Sequence, residues 1–160
     1  MNKLRIYLET SAFNYYFDED RNGHEDVVKL FNAIKEGEYE GYTSRYTTDE
    51  LMKASEPKRS SMLSLINEYG LTVLGYAIEA SKLASTYIGE KIIPASQRLD
   101  SLHIAIATVY RLSCIISYNF HHINRDKTRF NVAIINEREG YEGIIICTAK
   151  EVLSNDISDF

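Results

Sequence analysis

Five short runs rich in Val, Ile, Leu, Tyr and Cys, at residues 4–8, 42–46, 71–74, 114–118 and 143–148, are separated by longer stretches with helical spacing. This alternation is the strongest constraint on the fold. A helix between two strands carries the chain back to its starting end, so the strands run parallel, and a parallel sheet must be covered on both faces. The prediction is an α/β protein: one domain over residues 1–160, built as a three-layer α/β/α sandwich around a central, mainly parallel sheet.

The helical stretches have readable ends. One opens at Asn22 or Gly23, carries the stripe Val27, Val28, Phe31 and Ile34, and stops at Gly37. Another starts with Thr47-Thr48-Asp49-Glu50 and ends before Pro57, which pushes its predecessor out of helical geometry. Residues 60–68 and 77–88 read as helices. The helix expected over 99–112 is apolar nearly all round, which marks it as buried, and a short helical tail carries Val152 and Leu153. Residues 119–142, with His121, His122, Arg125, Lys127 and Arg129, read as the longest irregular segment and a candidate partner-facing one.

With 44% hydrophobic and 26% charged residues, 8 Gly and 2 Pro, the chain is neither collagen-like nor disordered. No stretch approaches the ~18 apolar residues of a membrane span, and Met1-Asn2-Lys3 leads straight into a strand pattern. A cytoplasmic protein with no membrane partner is expected. Cys114 and Cys147 sit inside β-branched runs and read as core filler. The formal net charge of −5 does not advertise nucleic-acid binding.

Ligands of open parallel sheets collect outside the carboxyl ends of the strands. Glu9 follows the first strand and Asn119 the fourth, Glu50 lies in the first turn after the second strand, and Asp100 opens the buried helix feeding the fourth. Three carboxylates and an amide on one edge would make an all-oxygen site for a hard dication such as Mg²⁺ or Mn²⁺. Such an ion can activate water and neutralise charge in phosphodiester hydrolysis.

Four segments carry a family resemblance: Tyr7-Leu8-Glu9-Thr10-Ser11-Ala12-Phe13-Asn14, Thr48-Asp49-Glu50-Leu51, Leu99-Asp100-Ser101-Leu102-His103-Ile104-Ala105 and Ile116-Ser117-Tyr118-Asn119-Phe120-His121-His122-Ile123. In order and spacing they resemble the motifs of PIN-domain nucleases, in the branch related to VapC toxins. The resemblance implies a PIN-like three-layer fold, Mg²⁺- or Mn²⁺-dependent cleavage of RNA, and often a homodimer restrained by an antitoxin protein. It matches Glu9, Glu50 and Asp100 to the family's three acids and Asn119 to a position that many members fill with Asp. Two departures stand out: Glu9 is a methylene longer than the usual Asp, and Asn119 carries no charge. Glu9 and Asp100 would then be the main metal ligands, with Glu50 orienting water and Asn119 completing the ring.

Other readings of these residues stand beside this one. Thr47 and Glu50 satisfy a capping box. Asp100 could complement a helix N-terminus, and Glu9 and Asn119 could be turn residues. His103, one turn beyond Asp100, reads first as a buried structural histidine, and His121 and His122 as loop surface. Arg45, Lys53, Lys58, Arg59, Arg98, Arg125, Lys127 and Arg129 are phosphate-gripping candidates or a solvated charged face. Tyr15, Tyr16 and Phe17 suit packing more than base stacking. The alternative function is a PIN-fold protein with impaired catalysis that binds RNA or a protein partner.

Overall fold

The computed structural model describes residues 2–154; Met1 and residues 155–160, on which the ends of the single-domain expectation fall, lie outside the described residues. Strands β1 (Arg5–Leu8), β2 (Glu40–Ser44), β3 (Thr72–Leu74), β4 (Cys114–Ile116) and β5 (Ile145–Cys147) form one sheet in the order β3-β2-β1-β4-β5, with every neighbouring pair parallel. Helices α1 (Thr10–Phe17), α2 (His24–Lys35), α3 (Arg45–Leu51), α4 (Lys58–Glu68), α5 (Ile78–Gly89), α6 (Arg98–Val109), α7 (Asp126–Arg138) and α8 (Ala149–Leu153) connect or follow the strands.

The two-residue period of a strand sends alternate side chains to opposite faces, and this builds the three layers. Ile6, Leu8, Cys114, Ile116 and Cys147 face one way, into a cluster with Phe13, Phe31, Met62 and Leu65. Tyr7, Ile115 and Ile146 face the other way, among Leu83, Tyr87, Ile104, Val132 and Ile135. The chain therefore has the expected α/β/α sandwich, with α1, α2, α4 and α8 on one face and α5, α6 and α7 on the other. Both cysteines are buried and unbridged, as the core-filler reading requires. Gly41 is needed where α2 crosses β2, because a Cβ there would meet Leu71 Cδ2 at 2.6 Å and Ile34 Cγ2 at 2.8 Å. Among the described residues, no helix is long and apolar enough to cross a membrane.

Several local expectations need correction. The second strand lies two residues earlier than the apolar pattern suggested, at Glu40–Ser44, because its partners Arg5 and Thr72 set the register. Helix α3 starts directly behind it at Arg45 and stops at Leu51, so Thr47 is inside the helix and caps nothing. The capping box belongs instead to Thr148 and Glu151 at the start of α8. Residues 119–142 are not irregular throughout: Asp126–Arg138 is α7, whose buried Val132 and Ile135 are masked in the sequence by Phe130 and Ile134 on its exposed side. Helix α1 is a short element of low helix propensity following directly on β1, and the strand signal overshadowed it. Its Tyr15 and Tyr16 do pack, stacked on Tyr118 at 4.1 Å and edge-on to Phe31 at 5.1 Å, respectively.

Candidate active site

From β1 the chain steps outward through β2 to β3, then returns to place β4 on the other side of β1. The carboxyl ends of β1 and β4 therefore flank a topological switch point, where the loops diverge and leave a crevice. Glu9 comes directly off β1 and caps α1 with its side chain: Oε1 accepts from the Ser11 backbone N–H at 2.8 Å and from the Ser11 hydroxyl. Ser11 Oγ in turn accepts from Tyr118 N–H at 2.8 Å, which ties the start of α1 to the chain leaving β4.

Glu50 arrives from the last turn of α3. Its Oε1 accepts from the Thr10 hydroxyl and lies 2.7 Å from His103 Nε2. Asp100 and His103 sit one turn apart on α6, whose first residue, Arg98, is fastened to Ser81 and Ser85 of α5. Asn119 lies three residues beyond β4. Its Oδ1 accepts from His121 N–H at 3.2 Å and His122 N–H at 3.1 Å, and its side chain neighbours Asp100.

Glu9, Glu50, Asp100 and His103 lie near enough to influence one another's charge. Glu9 is 3% exposed, and burial pushes its carboxyl from an ordinary 4.5 up to about 7, against the pull of His103 and Ser11 and with added repulsion from Glu50. Burial also raises Asp100, against His103, His122 and Asn119 and with repulsion from Glu50. Burial would raise Glu50 too, but the His103 hydrogen bond and charge, helped by Thr10 and Lys53, bring it below its usual range. For His103, burial favours the neutral ring, yet Glu50, Glu9 and Asp100 together raise its pKa. One buried imidazole thus serves three carboxylates.

His103 is held from behind. Its Nδ1 is 2.7 Å from the Tyr7 hydroxyl, which is fully buried and bonded to Ser44 Oγ at 2.7 Å and Thr47 Oγ1 at 3.3 Å. A continuous polar chain runs Ser44, Tyr7, His103, Glu50, Thr10 through the layer beneath the crevice. Tyr7 and Ser44 were missed in the sequence, although strand alternation already places Tyr7 on the α6 face, opposite Ile6 and Leu8. His122, read as loop surface, also lies at the site: it acts electrostatically on Asp100, and its Nδ1 is buried without a partner.

Among the described residues, no three His, Cys, Asp or Glu side chains form a ready-made ligand cluster. Single atoms nevertheless fit a hard dication. Asp100 Oδ2 is buried without a hydrogen-bond partner, a costly state that a cation would relieve. Glu9 and Glu50 both spend Oε1 on their anchors, leaving Oε2 outside those bonds. Glu9, buried, and Glu50 and Asp100, partly buried, repel through Glu50, an arrangement that suits positive charge.

The basic candidates are mostly committed elsewhere. Arg125 bonds Thr128 and the Ile92 carbonyl, Arg129 bonds Asn124 and Asp126, Arg59 pairs with Glu56 at 3.2 Å, and Arg45 lies over Tyr76.

An all-parallel sandwich with acidic residues gathered at its switch point is the architecture expected of a PIN-like protein. The sequence pattern of the PIN domain matches residues 6–128, and the chain belongs to the PIN domain family. Two solved structures share its fold. VapC20 of Mycobacterium tuberculosis, described as a sarcin-ricin loop cleaving toxin, is 10% identical with a TM-score of 0.56, over 73% of this chain and 92% of its own. VapBC2 of Rickettsia felis, solved bound to a DNA fragment from its promoter, is 12% identical with a TM-score of 0.55, over 89% of this chain and 97% of its own. No curated protein matches the chain.

Proposed function

We propose that the chain is a divalent-metal-dependent ribonuclease and the toxin component of a toxin–antitoxin pair. Its cofactor would be Mg²⁺ or Mn²⁺, its substrate RNA, its restraint an antitoxin protein, and its assembly a homodimer of single-domain cytoplasmic chains. What supports this reading is that Glu50 acts electrostatically on both Glu9 and Asp100 near the switch point of a PIN-family sheet, with Asp100 Oδ2 left unpartnered.

Asp100 and Glu9 would hold the ion, with Asn119 beside Asp100 and its Oδ1 accepting from His121 and His122 N–H. When bound, the dication polarises the phosphodiester and makes its water acidic at neutral pH. Glu50 is the base: His103 keeps it ionised, Thr10 and His103 fix Oε1, and Oε2 takes the proton from the attacking water. Glu9 must lose a proton before it can serve as a ligand, which ties metal occupancy to pH. The Ser44–Tyr7–His103 chain holds Glu50 in one orientation.

The test is cleavage of single-stranded RNA by protein free of contaminating nuclease. Cleavage that needs Mn²⁺, stops with a chelator and vanishes in a folded Asp100→Ala variant supports the enzyme. RNA binding without cleavage at any Mn²⁺ concentration supports the binding module instead, a reading motivated by the engaged Asn119 oxygen and the net charge of −5.

A further inference from the structure

Beside the crevice, the chain leaving β4 carries an aromatic shelf that the catalytic reading does not use. Tyr118 is rigidly placed. Its backbone N–H is bound by Ser11 Oγ, its hydroxyl accepts from Ala149 N–H at 3.1 Å, and Tyr15 stacks on its ring at 4.1 Å with 21° between planes. Phe120 stands edge-on to Tyr118 at 6.2 Å and is 53% exposed. Its exposed ring offers a face on which a planar ligand can stack.

The shelf floors a groove of about 400 Å³, closed on its other side by the turn between α1 and α2. Gly23 lets that turn come so close. Its φ is +113°, and a Cβ would meet Tyr118 Cε1 at 3.0 Å. Arg21, over the Tyr15 ring at 5.6 Å and 61% exposed despite its pairing with Asp18, lines the groove with Lys150, while Asn22 and Thr148 supply neutral donors and acceptors. Asp26 is the acid on the lining.

The groove is tied to the site through one residue, because Ser11 bonds both Glu9 and the backbone N–H of Tyr118, a residue of the groove's lining. Asn119, beside Asp100, directly precedes Phe120. One exposed aromatic ring, held by the buried Tyr118 behind it, and two cations at the rim are ingredients for holding an unpaired base and its phosphate. A volume of about 400 Å³ suits one such group.

We propose that this groove is a nucleobase subsite, with Phe120 as its stacking platform, taking one unpaired base of single-stranded RNA next to the scissile phosphate. The inference rests on the nuclease reading for its substrate, but it can be tested apart from catalysis. The chain contains no Trp, so Phe120→Trp installs a lone indole at the platform. In an Asp100→Asn background, which removes cleavage, a single-stranded RNA 12-mer is expected to quench that indole, and a fully paired duplex of the same sequence to leave it bright. With catalysis intact, Phe120→Ala should raise KM for the 12-mer by roughly 5- to 150-fold, the range of one lost base–aromatic stack. Phe120→Tyr should restore it, and Phe130→Ala, an exposed Phe on α7, should leave it unchanged.

Quenching in a protein that never cuts RNA would leave the subsite standing and overturn the nuclease reading. Metal-dependent cleavage with no quenching and an unaltered KM for Phe120→Ala would overturn the subsite alone. If Phe120→Ala instead abolishes capture of an antitoxin peptide while RNA kinetics stay the same, the shelf is a protein-docking surface and the proposal fails.

Discussion

Glu9→Gln should stabilise the metal-free protein, and by an amount that depends on pH. Glu9 is 3% exposed and its carboxyl is pushed from 4.5 to about 7, mainly by burial. Between these values the unfolded chain has released the proton and the folded chain still holds it. Stability from this group is therefore fully present below pH 4.5, falls as the pH rises, and is level above about pH 7. Each pKa unit corresponds to about 1.4 kcal/mol, so the full loss is about 3 kcal/mol, or roughly 6–12 °C in Tm for a chain of this size.

Gln keeps an amide oxygen to accept both Ser11 bonds, so α1 retains its cap while the buried charge disappears. Thermal unfolding of wild type and E9Q in chelator, from pH 4 to pH 8, should give curves that run together at the acid end and separate up to neutrality, with E9Q the more stable. Mn²⁺ should reverse the order, since the Glu9 carboxylate binds it more tightly than a neutral amide does, and wild-type affinity should rise about tenfold per pH unit below 7 if one proton leaves on binding. Parallel curves in chelator across the whole range would refute the argument that burial holds Glu9 protonated.

Other substitutions probe the rest of the site. Asp100→Asn should raise the melting temperature of the metal-free protein, because it removes a carboxylate that burial disfavours, while reducing calorimetric Mn²⁺ binding and cleavage to background. His103→Ala should lower cleavage by about 10- to 100-fold by freeing Glu50, with kcat falling more than KM rises. Tyr7→Phe leaves Ser44, Thr47 and His103 short of a buried partner and should cost about 1–3 kcal/mol in denaturant titrations. Gly41→Ala drives a methyl into Leu71 and Ile34 and should cost about 1–3 kcal/mol without altering Mn²⁺ affinity.

Much of the architecture was legible because it rests on local periodicity. The strand and helix alternation implied a parallel sheet, the nearly all-apolar run of α6 implied burial, and β-branched surroundings implied inert cysteines. Each follows from where a side chain must point when its backbone is a strand or a helix. The placing of Glu9 at the sheet's carboxyl edge was legible for a related reason: a residue just past a parallel strand's carboxyl end has only one edge to occupy.

What local pattern could not carry was decided by partners distant in the chain. Glu50 and Thr47 spell a capping box, yet Glu50 turns to Thr10 and His103, some 40 and 53 residues away, and Thr47 turns to Tyr7. Helix α7 was hidden because Phe130 and Ile134 blur its stripe, and only packing of Val132 and Ile135 against the second cluster reveals its buried side. Glu9's pKa likewise has no local cause: a carboxyl on a turn would be ionised in water, and it is the closing of α1, α3 and α6 around it that removes the water. Spacing along the chain dictates which residues can share a face, but competition among buried polar groups for few partners is settled only when the layers meet.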